Sequence, residues 1–143
     1  MPKDAAVGRE GERFPGATSP SEEMYLITVA RAEEAGRPGP LPLAALAQSL
    51  SISPISANQM VRRLAGRGLL EYHPYQGVLL TPAGRATAGR VLRGRRLWAG
   101  FLEEHLGFGK EEADVLACEF EHLTPPELAD RLEAFLGRSG GRA

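Results

Sequence analysis

Four times along this chain a hydroxyl side chain is followed directly by proline: Ser19-Pro20, Ser53-Pro54, Thr81-Pro82 and Thr124-Pro125. Each pair marks a helix start. The hydroxyl accepts a hydrogen bond from an N–H left open at a helix N-terminus, and proline at the first helical position forfeits no intrahelical bond. Ser19-Pro-Ser-Glu22 and Thr124-Pro-Pro-Glu127 also fit the reciprocal capping box. Gly36, Gly68, Gly107 and Gly137 stand where the segments should close. This punctuation predicts helices over about 20–35, 42–50, 54–67, 82–106, 110–123 and 125–136. Two apolar runs, Leu69–Tyr72 and Val78–Thr81, flank His73-Pro-Tyr-Gln-Gly77. Turn residues between β-prone runs predict a hairpin, so the fold class is mainly α with one small β-hairpin.

Composition narrows the function classes. The formal net charge of −1 hides a sorting: residues 1–42 carry 5 basic and 7 acidic side chains, 43–97 carry 8 and 1, and 98–143 carry 4 and 10. A cationic middle suits a polyanion, and the anionic end needs a different role. A single cysteine, Cys118, excludes an internal disulfide framework. No apolar run approaches the roughly 18 residues of a membrane span. The polar start, MPKDAAVGREGERFPGATS, has no signal-peptide core. A cytoplasmic protein is expected. No phosphate-binding glycine loop, G-x-S-x-G elbow, H-E-x-x-H motif or internal repeat occurs.

Two short helices separated by Ser51-Ile52-Ser53 and followed by a hairpin describe a winged helix-turn-helix. The second helix of such a unit reads bases in the major groove of double-stranded DNA with its N-terminal residues. Here those are Ser53, Ser56, Asn58 and Gln59. Asn and Gln bond both edge groups of adenine, and hydroxyls suit bases or phosphates. Arg62, Arg63 and Arg67 supply cations for phosphates, with Arg85 and Arg90 beyond the hairpin; the wing tip offers His73, Tyr75 and Gln76. For any single arginine a solvated helix face competes with this reading. No small organic substrate is expected, and neither is an enzyme: Cys118 has no oxyanion-hole loop to work with.

Cys118, Glu121 and His122 stand at i, i+3 and i+4 and would share one face of a helix. A thiolate, a carboxylate and an imidazole make half of a transition-metal site. Each also has a plainer reading: a small buried hydrophobe, a surface acid, and a helix-end residue favoured by the dipole.

Two stretches, Ser21-Glu-Glu-Met-Tyr-Leu26 and Ala117-Cys-Glu-Phe-Glu-His122, together with the intervening winged helix ending Leu80-Thr-Pro-Ala-Gly-Arg85, resemble the diphtheria toxin repressor family, over about 20–137. The resemblance implies a dimeric, metal-activated repressor reading a palindromic operator. Residues 1–18, rich in Gly, Pro and charge without apolar periodicity, read as a flexible arm; a winged helix-turn-helix DNA-binding domain is expected over 19–82, a helical metal-binding and dimerisation domain over 83–137, and a tail over 138–143. The resemblance does not extend to the SH3-like third domain of iron-type members. The iron-type primary metal site maps onto Met24, Cys118, Glu121 and His122. The manganese-type pattern fits badly, since its helix-one acids fall on Met24 and Ile27 and its later acids on Ala117 and Phe120. The iron-type resemblance implies Fe²⁺ first, with Mn²⁺, Co²⁺, Ni²⁺ and Zn²⁺ as alternatives, and the soft sulfur donors shift preference away from Mn²⁺. The family's ancillary site falls on Arg95, Ala99 and Asp114, of which the first two cannot ligate; Arg95 is expected to set a fixed cation near Asp114. The apolar surplus of Leu97, Trp98, Phe101, Leu102, Leu106, Leu116, Phe120, Leu128, Leu132 and Phe135 is expected to divide between core and homodimer interface. The alternative is a winged-helix regulator of the same ancestry without metal control, with Cys118 as a redox sensor or as packing.

Overall fold

The computed structural model describes residues 18–37 and 39–140; the arm expected over 1–18 lies outside them except for Thr18. The chain divides into two compact units between Thr81 and Pro82. Among the described residues no helix is long and apolar enough to cross a membrane.

The first unit holds α1 (Pro20–Glu34), α2 (Leu43–Leu50), α3 (Pro54–Gly66), β1 (Leu70–His73) and β2 (Gly77–Leu80). Ser19 caps α1 as expected. The Glu22 N–H donates to Ser19 Oγ at 3.2 Å, and the Ser19 N–H donates to Glu22 Oε1 at 3.0 Å. Alpha-helical spacing places Ala57, Val61 and Leu64 on one side of α3, and all three are fully buried. Burying a residue such as Val61 or Leu64 gains roughly 1.5–3 kcal/mol, whereas a cap contributes about 1 kcal/mol. Burial therefore decides which side of α3 faces in, and Leu26, Ile27, Val29, Leu46 and Val78 complete this core.

The turn between α2 and α3 passes through Ser51 in the left-handed region, at φ 55°. The hairpin pairs Leu70 with Leu80 and Tyr72 with Val78 in antiparallel register. A third segment joins it: the Leu41 N–H donates to the Val78 carbonyl, and the Val78 N–H donates to the Leu41 carbonyl, each at 2.9 Å. The bridge explains Gly77. A β-carbon there would lie 2.1 Å from the Leu41 carbonyl oxygen, and its φ of +132° suits only glycine.

The second unit holds α4 (Pro82–Leu106), α5 (Lys110–Phe120), a 3-10 turn (Glu121–Leu123) and α6 (Pro126–Gly140). Leu97, Ala129 and Leu132 form a buried cluster, with Trp98, Phe101 and Leu136 packed around it. On α5, Ala113 and Ala117 are fully buried one turn apart, and residues this small let helix backbones approach closely.

Two expectations fail here. Thr124 does not cap α6. The first intrahelical bond runs from the Ala129 N–H to the Pro125 carbonyl, so Pro125 holds the capping position. Instead the Thr124 hydroxyl donates to the Phe120 carbonyl at 2.6 Å and accepts the Trp98 indole N–H at 2.8 Å. The half-buried Trp98 ring brings its N–H to this hydroxyl, and a donor withdrawn from water needs an acceptor. Gly137 does not close α6, which continues to Gly140, because glycine permits a left-handed ending without imposing one.

Candidate nucleic-acid interface and metal centre

The buried side of α3 leaves Ser53, Ile55, Ser56, Gln59, Arg62 and Arg63 exposed, with Asn58 half-buried beside them. Ser53 caps the helix: the Ser56 N–H donates to Ser53 Oγ at 3.1 Å. Arg62 Nε donates to Asn58 Oδ1 at 3.3 Å, and its guanidinium lies 5.9 Å from the centre of the Tyr72 ring. Tyr72 on β1 thus meets α3, a contact that hairpin patterning did not indicate. At the wing tip Tyr75 is fully exposed with φ 66°, next to exposed Gln76. A bulky residue held left-handed at a tip is a costly conformation of the kind found at working sites.

Arg67, expected among the phosphate-binding cations, is exposed and also has a partner within the fold. Its Nη1 donates to Glu22 Oε2 at 2.5 Å, tying the end of α3 to the cap of α1. Burial pushes the Glu22 carboxyl up, but the Ser19 N–H and the Arg67 guanidinium together overcome this and hold it below the ordinary glutamate value. Glu22 is a buried acid, and that explains the assignment: it needs a cation more than a phosphate does.

In the second unit Cys118 lies half-buried in the last turn of α5, while Glu121 and His122 fall in the 3-10 turn. The backbone stays right-handed helical through Phe120 and Glu121, so the change is one of winding within a continuing turn. A 3-10 turn advances each side chain farther around the axis than an α-helix does. Glu121 is fully buried. His122 Nε2 lies 3.4 Å from Glu121 Oε1, and Arg95 Nε lies 4.0 Å from Glu121 Oε2. Among the described residues Glu121 is the carboxylate within ion-pair distance of Arg95; the expected partner, Asp114, is half-buried elsewhere on α5 and Ala99 is half-buried on α4. A buried carboxylate has the stronger claim on a cation. Met24 belongs to α1 of the first unit, half-buried, its carbonyl accepting the Thr28 hydroxyl at 2.7 Å. No group of three or more His, Cys, Asp or Glu side chains is gathered for a metal among the described residues.

Residues 17–78 match the N-terminal DNA binding domain of iron dependent repressors, and residues 81–139 match their metal binding and dimerisation domain. The chain belongs to the iron-dependent repressor family.

It is 33% identical over 97 residues to an uncharacterised HTH-type transcriptional regulator of Methanocaldococcus jannaschii, covering 68% of this chain and 78% of that one. It is 35% identical over 111 residues to the diphtheria toxin repressor of Corynebacterium efficiens, covering 77% of this chain and 47% of the relative. A solved manganese-dependent transcriptional repressor in complex with manganese superposes with a TM-score of 0.73 at 31% identity, covering 81% of this chain and 52% of that one. The chain thus spans about half the length of the diphtheria toxin repressors it matches. The DNA binding domain of this family thus matches the first unit, and its metal binding and dimerisation domain matches the second. The residues present fit a divalent ion in their donor chemistry: a fully buried carboxylate, an adjoining imidazole, and a thiol on the preceding turn.

Proposed function

We propose that this chain is a metal-dependent transcription repressor that binds palindromic double-stranded DNA as a homodimer. The observation that carries this reading is the one-sided burial of α3. Ala57, Val61 and Leu64 are withdrawn into the core, and the polar and cationic side remains free next to the wing. Ser53, Ser56, Asn58 and Gln59 read base edges, while Arg62, Arg63, Tyr75 and Gln76 hold the backbone. Homodimerisation is supported by Leu106, Phe108, Val115, Leu123, Leu128 and Phe135, large apolar side chains of the second unit that stay exposed.

Met24, Cys118, Glu121 and His122 are the proposed metal ligands, with Fe²⁺ first and Mn²⁺, Co²⁺, Ni²⁺ and Zn²⁺ as alternatives. A bound divalent ion supplies charge for the buried Glu121 carboxylate and a demand for four donors at once. Met24 precedes the DNA-reading helix in sequence and the other three ligands follow it. Meeting that demand therefore narrows the conformations of the reader, so metal and DNA favour one another reciprocally.

DNA binding by the purified metal-free protein, titrated with Fe²⁺, Mn²⁺, Co²⁺ and Zn²⁺ beside Cys118→Ala and His122→Ala, tests this. Metal is expected to raise DNA affinity in the wild type, and each variant to lose that response. A second reading, a winged-helix regulator without metal control, is favoured by Arg95 standing beside Glu121. DNA binding that ignores every metal would establish it.

A further inference from the structure

The ancillary-site position at Arg95 delivers its charge to the proposed metal centre itself. Arg95 Nε lies 4.0 Å from Oε2 of the fully buried Glu121, on the oxygen opposite the one facing His122, and the Arg95 side chain is itself largely buried. Arginine cannot give up its proton inside a protein, so this cation is permanent.

We infer that Arg95 is the resident counter-cation of Glu121 in the metal-free protein, and that a divalent metal must bind in competition with it. The inference rests on the proposed role of Glu121 as a ligand and adds a regulatory consequence. Two effects of Arg95 act together. It stabilises the buried carboxylate when no metal is present, because a charge left alone in the interior is strongly unfavourable. It also repels an incoming divalent ion across a short, poorly screened distance. Both raise the metal concentration at which the protein responds. Arg95 is thus a positioning residue that sets a threshold, and it lets the second unit fold before metal arrives. Ala99, on the next turn of α4, adds no carboxylate that would neutralise it.

The contact and the competition are tested separately. Thermal unfolding of the chelator-treated full chain is measured for wild type, Arg95→Gln, Glu121→Gln and the double variant. Arg95→Gln is expected to lower Tm by about 5 °C, and to have no effect in the Glu121→Gln background; additive losses would overturn the counter-cation. Co²⁺ titration of the reduced protein, followed by its visible absorption bands, then reads affinity. Arg95→Gln should bind about tenfold more tightly than wild type, while Arg95→Lys, which keeps the charge, stays near it. Equal or weaker binding by Arg95→Gln overturns the competition. If wild type and Arg95→Gln both take up no Co²⁺ while the unfolding cycle is coupled, the metal reading of the site falls, and the competition falls with it. The pair is then a purely structural one.

Discussion

Arg67 and Glu22, 45 positions apart in the sequence, meet at 2.5 Å where the end of α3 touches the cap of α1. Glu22 Oε1 accepts the Ser19 N–H at the same time, so one carboxylate completes a helix cap and anchors the reading helix.

Breaking this pair should destabilise the first unit. Arg67→Ala and Glu22→Gln are each expected to lose about 1–2 kcal/mol at pH 7, since Glu22 is buried but Arg67 is partly solvated. The folded state holds the Glu22 pKa below its ordinary value of 4.5. Its contribution is therefore fully present above that value and disappears as pH falls through the lower folded one. Urea unfolding of wild type and Glu22→Gln should give curves that converge as pH falls below 4.5. A constant gap would contradict the role of the ionised carboxylate.

The arginines of α3 should separate by function. Arg62→Ala and Arg63→Ala are expected to weaken binding to all DNA sequences and to reduce the salt slope by about one phosphate each. Gln59→Ala should instead lose about 1–3 kcal/mol on the cognate site alone. Arg67→Ala should leave the salt slope unchanged. Fluorescence anisotropy at several salt concentrations distinguishes the three behaviours.

Gly77→Ala should be among the most damaging single substitutions in the first unit. Its β-carbon would fall on the Leu41 carbonyl, and alanine resists the glycine backbone angle as well. A loss of about 3 kcal/mol or more is expected. Gly89→Ala, in open space on α4, is the control and should be neutral or slightly stabilising.

Thr124→Val removes the acceptor for the Trp98 indole and the donor to the Phe120 carbonyl while preserving shape. A destabilisation of about 1 kcal/mol is expected, because a partly buried N–H loses its acceptor. Trp98 is the only tryptophan in the chain, so its fluorescence reports unfolding of the second unit directly. An unchanged transition would show that the indole finds another acceptor.

The helices were legible because their starts are local events. Ser19 and Ser53 act through atoms three residues away, and a reading of neighbours finds them. The choices that shape the candidate sites are made at a distance. Thr124 has the signature of a cap, yet an indole 26 positions away claims its oxygen. Arg67 and Arg95 look like members of a solvated cationic run until the buried acids opposite them are known. Leu41 lies in no strand pattern, and its pairing with Val78 depends on where α1 and α2 bring the chain. The candidate ligands were legible as residue types, but the change to a 3-10 turn at Glu121 was not, since no proline or glycine marks it.

The Leu41 bridge also has a bearing on solubility. Gly77–Leu80 is a short apolar strand with β1 on one side only, and an open strand edge invites pairing with other chains. Both backbone groups of Val78 that face away from β1 are taken by Leu41, so the edge is closed at its midpoint. A wing proposed to engage DNA is thereby kept from serving as a template for aggregation.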